Sequence, residues 1–344
     1  MKYRLLGDTG LFVSELCFGA MGFGGTGMWK NVGQTQQDEA NKLVNRAIEE
    51  GINFFDTANI YSNGISEEML GKALGSRRKD VILATKVRGR MGEGVNDIGL
   101  SRVHIRQQVE ESLTRLNTDY IDLYQIHGLD IYTSFEDTMR TLNDLVREGK
   151  VRYIGASNHM AWQLMKMQAI ADKNGWEKFK SLQAYYSIGG RDLEREVVPL
   201  LKDQNMGLMV WSPLAGGFLS GKYRRGKNPE GDSRRKEYDF PPIDKEKAYD
   251  IIEVMEEIAA NHKASIAQIA LAWLLHQDVV TSIIIGTKRQ EQLEDNLKAI
   301  DISFTDDELQ KLDEISQLKP EYPGWMTQSM QSDRNPNELK SWKV

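Results

Sequence analysis

Residues 53–61 read NFFDTANIY, an apolar run that stops at Asp56 and is followed closely by Tyr61. The same grammar recurs downstream, where VILATK ends on Lys86 and IDLYQIH ends on His127. Short apolar runs bounded by turn residues are the signature of strands buried on both faces, which is the situation of a parallel sheet. In a closed barrel of parallel strands the C-terminal strand ends converge on one mouth. Asp56, Tyr61, Lys86 and His127, far apart in the chain, are therefore expected to meet in one pocket.

Working outward, strand-like and helix-like segments alternate along the chain, as in a parallel α/β architecture. Eight strands are predicted, over 15–21, 53–58, 81–87, 121–127, 151–158, 179–187, 207–214 and 280–287. Between them, SRVHIRQQVEESLTRL places Ile105, Val109, Leu113 and Leu116 on one helical face, and SFEDTMRTLNDLVREG ends in a glycine stop. The opening YRLLGDTGLFVSEL reads as two short extended pieces around Gly-Asp-Thr-Gly, a hairpin closing the barrel floor. Helical stretches at 245–263 and 305–316 exceed the eightfold repeat, beside helices at 265–277 and 289–300. The expected fold is a single α/β domain over 1–344: a (β/α)8 TIM barrel with an N-terminal hairpin, two extra helices and a C-terminal tail over the barrel mouth.

Composition fits a soluble, cytoplasmic enzyme. The chain has 344 residues, 27% of them charged and 40% hydrophobic, and no apolar stretch approaches the ~20 residues needed to cross a bilayer. The amino terminus lacks the apolar core of a secretory signal. Cys17 is the one cysteine, so an internal disulfide and a cysteine metal cage are excluded. Redox chemistry would require a cofactor. The net charge of −6 argues against broad nucleic-acid binding. His104, His262 and His276 fall in helices without paired ligand spacing, so no metal site is expected. His159, following Asn158, is within reach of the mouth, but the favoured reading is a solvent-facing residue at a helix start.

The four mouth residues suit reduction of a carbonyl, in which hydride reaches carbon while a proton reaches oxygen. A tyrosine with a pKa of ~10 is a poor donor at neutral pH. A lysine ammonium ~4 Å away favours the phenolate by up to about 4 kcal/mol at an effective dielectric of ~20. A carboxylate beside that lysine keeps it charged despite burial, the role expected for Asp56. Histidine adds a donor to orient the substrate oxygen.

Three irregular stretches, 22–34, 216–243 and 318–344, have the length of binding loops or lids. The middle one mixes glycine with Lys222, Arg224, Arg225, Arg234 and Arg235; loops after strands seven and eight are the usual phosphate site of such barrels. Candidate pocket walls are Met28, Trp29, Tyr132 and Trp325, joined by Tyr322 and Met326. Aromatic and methionine walls favour apolar or sugar-ring faces.

The stretches GINFFDTANIYSNGISEEMLGKAL, VILATKV, IDLYQIH, YIGASN, VWSPLAGGFLSGKY and IIIGTKRQEQLEDN, in this order, resemble the aldo-keto reductases over nearly the whole chain. The resemblance implies Asp56, Tyr61, Lys86 and His127 as the catalytic tetrad, with Tyr61 as proton donor. It implies a nicotinamide dinucleotide held without a GxGxxG fingerprint, which the chain lacks in a strand-turn-helix setting. Ser157, Asn158 and Gln183 match the residues that hold the carboxamide, and Trp211 matches the aromatic on which the nicotinamide ring stacks. Ser212, Leu214, Gly216 and Lys222 match the pyrophosphate wrap. Gly286, Thr287, Lys288, Arg289, Gln292, Asp295 and Asn296 match the adenosine end, where Lys288 or Arg289 would meet a 2′-phosphate, so NADP(H) is favoured over NAD(H). Ile285 stands where many relatives have proline, and Ile188, Gly189 and Gly190 replace bulkier residues expected on the rim. The implied partner is a small carbonyl or alcohol substrate. Two alternatives remain open: a cofactor-sensing subunit with slow catalysis, and a phosphosugar isomerase or aldolase-type barrel in which Lys86 forms a Schiff base or Asp56 abstracts a proton.

Overall fold

The structure, a computed structural model, describes residues 1–26, 29–30, 32–226, 235 and 238–332. Eight parallel strands close into a barrel: β3 (Leu16–Gly19), β4 (Phe54–Asp56), β5 (Ile82–Val87), β6 (Ile121–Ile126), β7 (Val151–Ser157), β8 (Phe179–Tyr185), β9 (Gly207–Trp211) and β10 (Val280–Ile285), with β10 pairing back to β3. A hairpin of β1 (Tyr3–Leu5) and β2 (Phe12–Ser14) pairs antiparallel ahead of the barrel. All eight predicted strands are present, each shortened at one or both ends except at the start of several runs. The trimmed ends leave regular pairing as the chain turns out of the mouth; after Asp56, for example, the amides of Thr57 and Asn59 bond the carbonyls of Ala84 and Lys86.

Strand alternation places the site. Side chains two apart on a strand face the same way, and the inward positions form two tiers. The lower tier is apolar: Cys17, Phe54, Ala84, Leu123 and Met209 cluster with Leu6 and Val13. Leu6 and Val13, both with no exposed surface, are thus how the hairpin seals the floor. One step of two residues further up each strand stand Gly19, Asp56, Lys86, Gln125 and Trp211. The alternate positions, including Phe18, Phe55, Leu83 and Tyr124, face outward into the main core under the helices. Each such buried aromatic or aliphatic side chain contributes roughly 1.5–3 kcal/mol relative to exposure.

The wrapping helices are α1 (Gln37–Glu49), α2 (Ile65–Leu74), α3 (Arg102–Leu116), α4 (Phe135–Arg147), α5 (Ala161–Asn174), α6 (Val197–Asp203), α7 (Lys245–His262), α8 (Ile266–Leu275), α9 (Gln290–Leu297), α10 (Asp306–Ser316) and α11 (Gly324–Ser332). Ser101 and Ser134 cap α3 and α4 by accepting the amides of His104 and Asp137. The predicted α3 face of Ile105, Val109, Leu113 and Leu116 is buried. Within the stretch 318–344, expected to be irregular, Gly324–Ser332 form α11 directly after Pro323, where the missing amide of proline costs a helix start nothing; residues 333–344 lie outside the described residues. No helix among the described residues is long and apolar enough to cross a membrane.

The two extra helices, α7 and α10, pack together through a titratable pair. His262 Nε2 lies 3.1 and 3.0 Å from the two carboxylate oxygens of Glu308. Glu308 also closes a capping box with Thr305. Burial alone would raise the Glu308 carboxyl, but the Thr305 amide and His262 outweigh it and hold it below the usual glutamate range. A depressed carboxyl pKa contributes stability above its unfolded value and loses it as pH falls through the folded one. Glu308→Gln is expected to cost about 0.3–1 kcal/mol at neutral pH. In urea unfolding measured across pH, that gap should close in acid; a gap independent of pH would contradict the charge assignment.

Candidate active site

The polar upper tier is one hydrogen-bonded unit. Lys86 Nζ lies 2.5 Å from Asp56 Oδ1, 2.8 Å from the Thr57 carbonyl and 3.4 Å from the Tyr61 hydroxyl. Asp56 Oδ2 accepts from Gln183 Nε2 at 2.8 Å and from Gln125 Nε2 at 3.2 Å. The Lys86 side chain has no exposed surface and that of Asp56 is 3% exposed. Burying an ion pair is tolerable only when its remaining valences are filled, and these contacts fill them. Burial works to lower the Lys86 pKa, but the charge of Asp56 and the Tyr61 hydroxyl outweigh it, so the net shift is upward. Lys86 is an ammonium.

Tyr61 reaches this pair from the turn after β4. The following residues, Ser62 and Asn63, take left-handed backbone conformations with φ of 51° and 55°, an arrangement that needs outside support. Ser62 supplies it: its hydroxyl donates to the Phe23 carbonyl and accepts the Gly25 amide, both at 2.9 Å, while its carbonyl accepts Thr26 Oγ1 at 3.1 Å. The first mouth loop is thereby stitched to the tyrosine, and it brings Trp29 edge-on to the Tyr61 ring at 5.0 Å between centroids. His127 meets the same ring at 5.6 Å, also edge-on. Burial, then the charges of Lys86 and Arg88, push the His127 pKa down to about 3. Its imidazole is neutral at any physiological pH.

A cavity of about 490 Å³ opens above these groups, and it gathers most of the predicted site. Asp56, Tyr61, His127 and Trp29 line it, as do Ser157, Asn158, Gln183, Trp211, Ser212, Leu214, Gly216, Gly286 and Asn296. Among the described residues Ser157 Oγ is buried without a partner, and a buried polar atom of this kind calls for a ligand or water. Asn158 is already employed, donating to the His127 carbonyl at 3.1 Å and accepting Trp211 Nε1 at 3.0 Å. Trp211 packs on Tyr185 at 5.2 Å and lies nearly parallel to Phe240 at 5.8 Å. Gly190 permits the Tyr185 position, because a Cβ there would come within 2.5 Å of the tyrosine ring.

Several expected residues lie elsewhere. Tyr132 is 94% exposed and Trp325 52% exposed, and neither lines the cavity; Met28 lies outside the described residues. The basic cluster after β9 is largely structural. Arg224 pairs with Glu256, Arg225 with Glu246 and Asp250, and Arg235 donates to the carbonyls of Ala215 and Pro241. Arg234 lies outside the described residues, and Lys222 is exposed away from the cavity wall. Asp295 accepts from Ser265 and Gln268, tying α9 to the start of α8 rather than facing the cavity. Beyond the wall, Thr287 Oγ1 is buried without a partner among the described residues, Lys288 Nζ donates to Gln34 Oε1 at 2.9 Å, and Gln292 Oε1 accepts the Lys288 amide. Arg289 is exposed at the start of α9. His159, read as solvent-facing, is 7% exposed, with Nδ1 2.8 Å from the Ser157 carbonyl. Gln125 was not anticipated, although it stands two residues beyond Leu123 on the inward side of β6. Tyr185, Tyr238 and Phe240 carried no local signal.

The family model described as the aldo/keto reductase family matches residues 15–317. The chain is 39% identical to "Uncharacterized oxidoreductase YrpG" of Bacillus subtilis, over 92% of this chain and 96% of that protein. It is 37% identical to a versiconal hemiacetal acetate reductase of Aspergillus parasiticus, over 94% and 99%. It is 35% identical to a probable voltage-gated potassium channel subunit beta of Arabidopsis thaliana, over 94% and 99%. With the closed barrel and the convergent mouth residues, these likenesses place the chain in the aldo/keto reductase family of oxidoreductases.

Proposed function

We propose that this protein reduces aldehydes or ketones, sugar carbonyls among them, to alcohols with NADP(H), and that Tyr61 is the general acid. The observation that carries the reading is the Tyr61 hydroxyl 3.4 Å from a buried, Asp56-paired ammonium. As the phenol gives its proton to the substrate oxygen, the adjacent Lys86 charge stabilises the phenolate that forms. Asp56 keeps Lys86 protonated, and Gln125 and Gln183 hold Asp56 in place. His127, neutral because its pKa is pushed down to about 3, does not compete as the acid; its single N–H orients the carbonyl oxygen. A bound nicotinamide supplies the hydride. Ser157 Oγ, unpartnered and buried at the cavity wall, fits a carboxamide, and the Trp211 aromatic group fits a ring stacked at the cavity side. The unpartnered Thr287 hydroxyl with Lys288 and Arg289 at the start of α9 suits a 2′-phosphate, which favours NADP(H).

A Schiff-base role for Lys86 is disfavoured, since that chemistry needs a neutral amine and Asp56 holds this one charged. The likeness to a channel subunit beta makes slow, cofactor-sensing behaviour the outcome to test against. NADPH absorbance followed with a panel of aldehydes is expected to show steady turnover; tight NADPH binding with negligible turnover would replace the reductase reading with the sensing one. Lys288→Ala and Arg289→Ala are each expected to raise the KM for NADPH on the order of tenfold, through loss of a charge-assisted contact, with little change for NADH. Equal weakening of both cofactors would remove the 2′-phosphate role.

A further inference from the structure

Arg88 lies at the mouth, and its one part in the chemistry above is to help hold His127 neutral through space. It is the first residue beyond β5, and its backbone takes φ of 148°. Two mouth loops hold it in place: its carbonyl accepts the Gly99 amide at 2.9 Å, and its Nε donates to the Leu129 carbonyl at 3.0 Å. The side chain crosses Gly128, the residue after His127; a Cβ built on Gly128 would touch Arg88 Cδ at 3.8 Å and Nε at 3.9 Å. That is ordinary van der Waals spacing, so the arginine runs alongside residue 128, next in the chain to His127. Among the described residues its two terminal guanidinium nitrogens have no hydrogen bond or ion pair. The nearby acid, Asp130, points its carboxylate at the Leu100 and Tyr132 amides and the Thr133 hydroxyl, so it balances Arg88 only through space.

A half-buried guanidinium, fixed through Nε and with its fork unfilled, is a preorganised donor site for a carboxylate. We propose that Arg88 is an anion anchor on the rim of the catalytic mouth, selecting carbonyl substrates that carry a carboxylate remote from the reacting carbon. This rests on the reductase reading. The remoteness follows from position: Arg88 is outside the cavity wall, beyond His127, so the anion it meets is at the end of the substrate that projects from the cavity. A phosphate ester carries about −1.5 to −2 at neutral pH, whereas one guanidinium matches the single charge of a carboxylate.

The test compares 4-carboxybenzaldehyde with its uncharged counterpart, methyl 4-formylbenzoate, using purified protein and NADPH. The wild type is expected to favour the acid in kcat/KM on the order of tenfold, the usual worth of a charge-assisted contact. Arg88→Met should abolish that preference, acting through the KM of the acid, and Arg88→Lys should restore part of it as a charge without a fork. Added salt should erode the preference in the wild type and not in Arg88→Met. A wild type with no preference for the acid overturns the proposal, as does an Arg88→Met variant that loses activity equally on both aldehydes. Turnover of the ester alone thus sinks the anchor and spares the reductase reading, whereas turnover of neither sinks both.

Discussion

Phenylalanine in place of Tyr61 is expected to lower kcat by about 10²–10⁴-fold, the usual contribution of a positioned general acid. The affinity for NADPH should barely move. Trp29 and His127 pack against the ring rather than the hydroxyl, so the variant keeps the cavity wall and loses the hydroxyl with its 3.4 Å contact to Lys86, a loss expected to fall on the transition state. Steady-state kinetics beside a fluorescence titration of NADPH separate the two effects. If cofactor binding fell as steeply as turnover, Tyr61 would be a structural support and the proton would have to come from elsewhere.

Lys86→Met is expected to do more damage to the molecule as a whole. It leaves Asp56 buried with two amide donors and no countercharge, a loss of about 3–5 kcal/mol by the general behaviour of broken buried pairs. Turnover should fall with it, because no ammonium remains to stabilise the phenolate. Adding Asp56→Asn should recover much of the stability, since both charges are then gone, while activity stays lost. Guanidinium unfolding of the single and double variants reads this directly; a double variant no more stable than the single one would contradict the pairing argument. The intact pair also sets an alkaline limit. Because the Lys86 pKa is raised above its ordinary value, its contribution is complete below the ordinary lysine range and disappears as pH climbs through the raised value.

Much of this site is legible in the chain because one short-range rule generates it. Apolar runs mark the strands, and the last inward position of β4 and β5 yields Asp56 and Lys86 without any knowledge of distant contacts. The same rule extends to Gln125, which needed only the two-residue step from Leu123. What escaped depends on partners remote in sequence. Arg224 and Arg225 look like free cations until α7 brings up Glu246, Asp250 and Glu256. Asp295 looks available until α8 claims it. His159 resembles a surface residue because nothing local reports the burial around it. The aromatic group of Tyr185, Trp211 and Phe240 is assembled from two strands and a long loop, a coincidence in space that no periodicity encodes.

The two inward tiers have a further consequence. The greasy plug and the reactive ring occupy neighbouring odd-or-even positions of the same strands, so a single-residue insertion upstream of Asp56 in β4 would throw the carboxylate out among the helices and turn Phe55 into the ring. No drift of alignment can spoil the chemistry while leaving the barrel soundly packed. Any descendant of this chain that still folds through the same strand phase inherits the geometry of the reactive ring, and variation is left free to work on the loops above it.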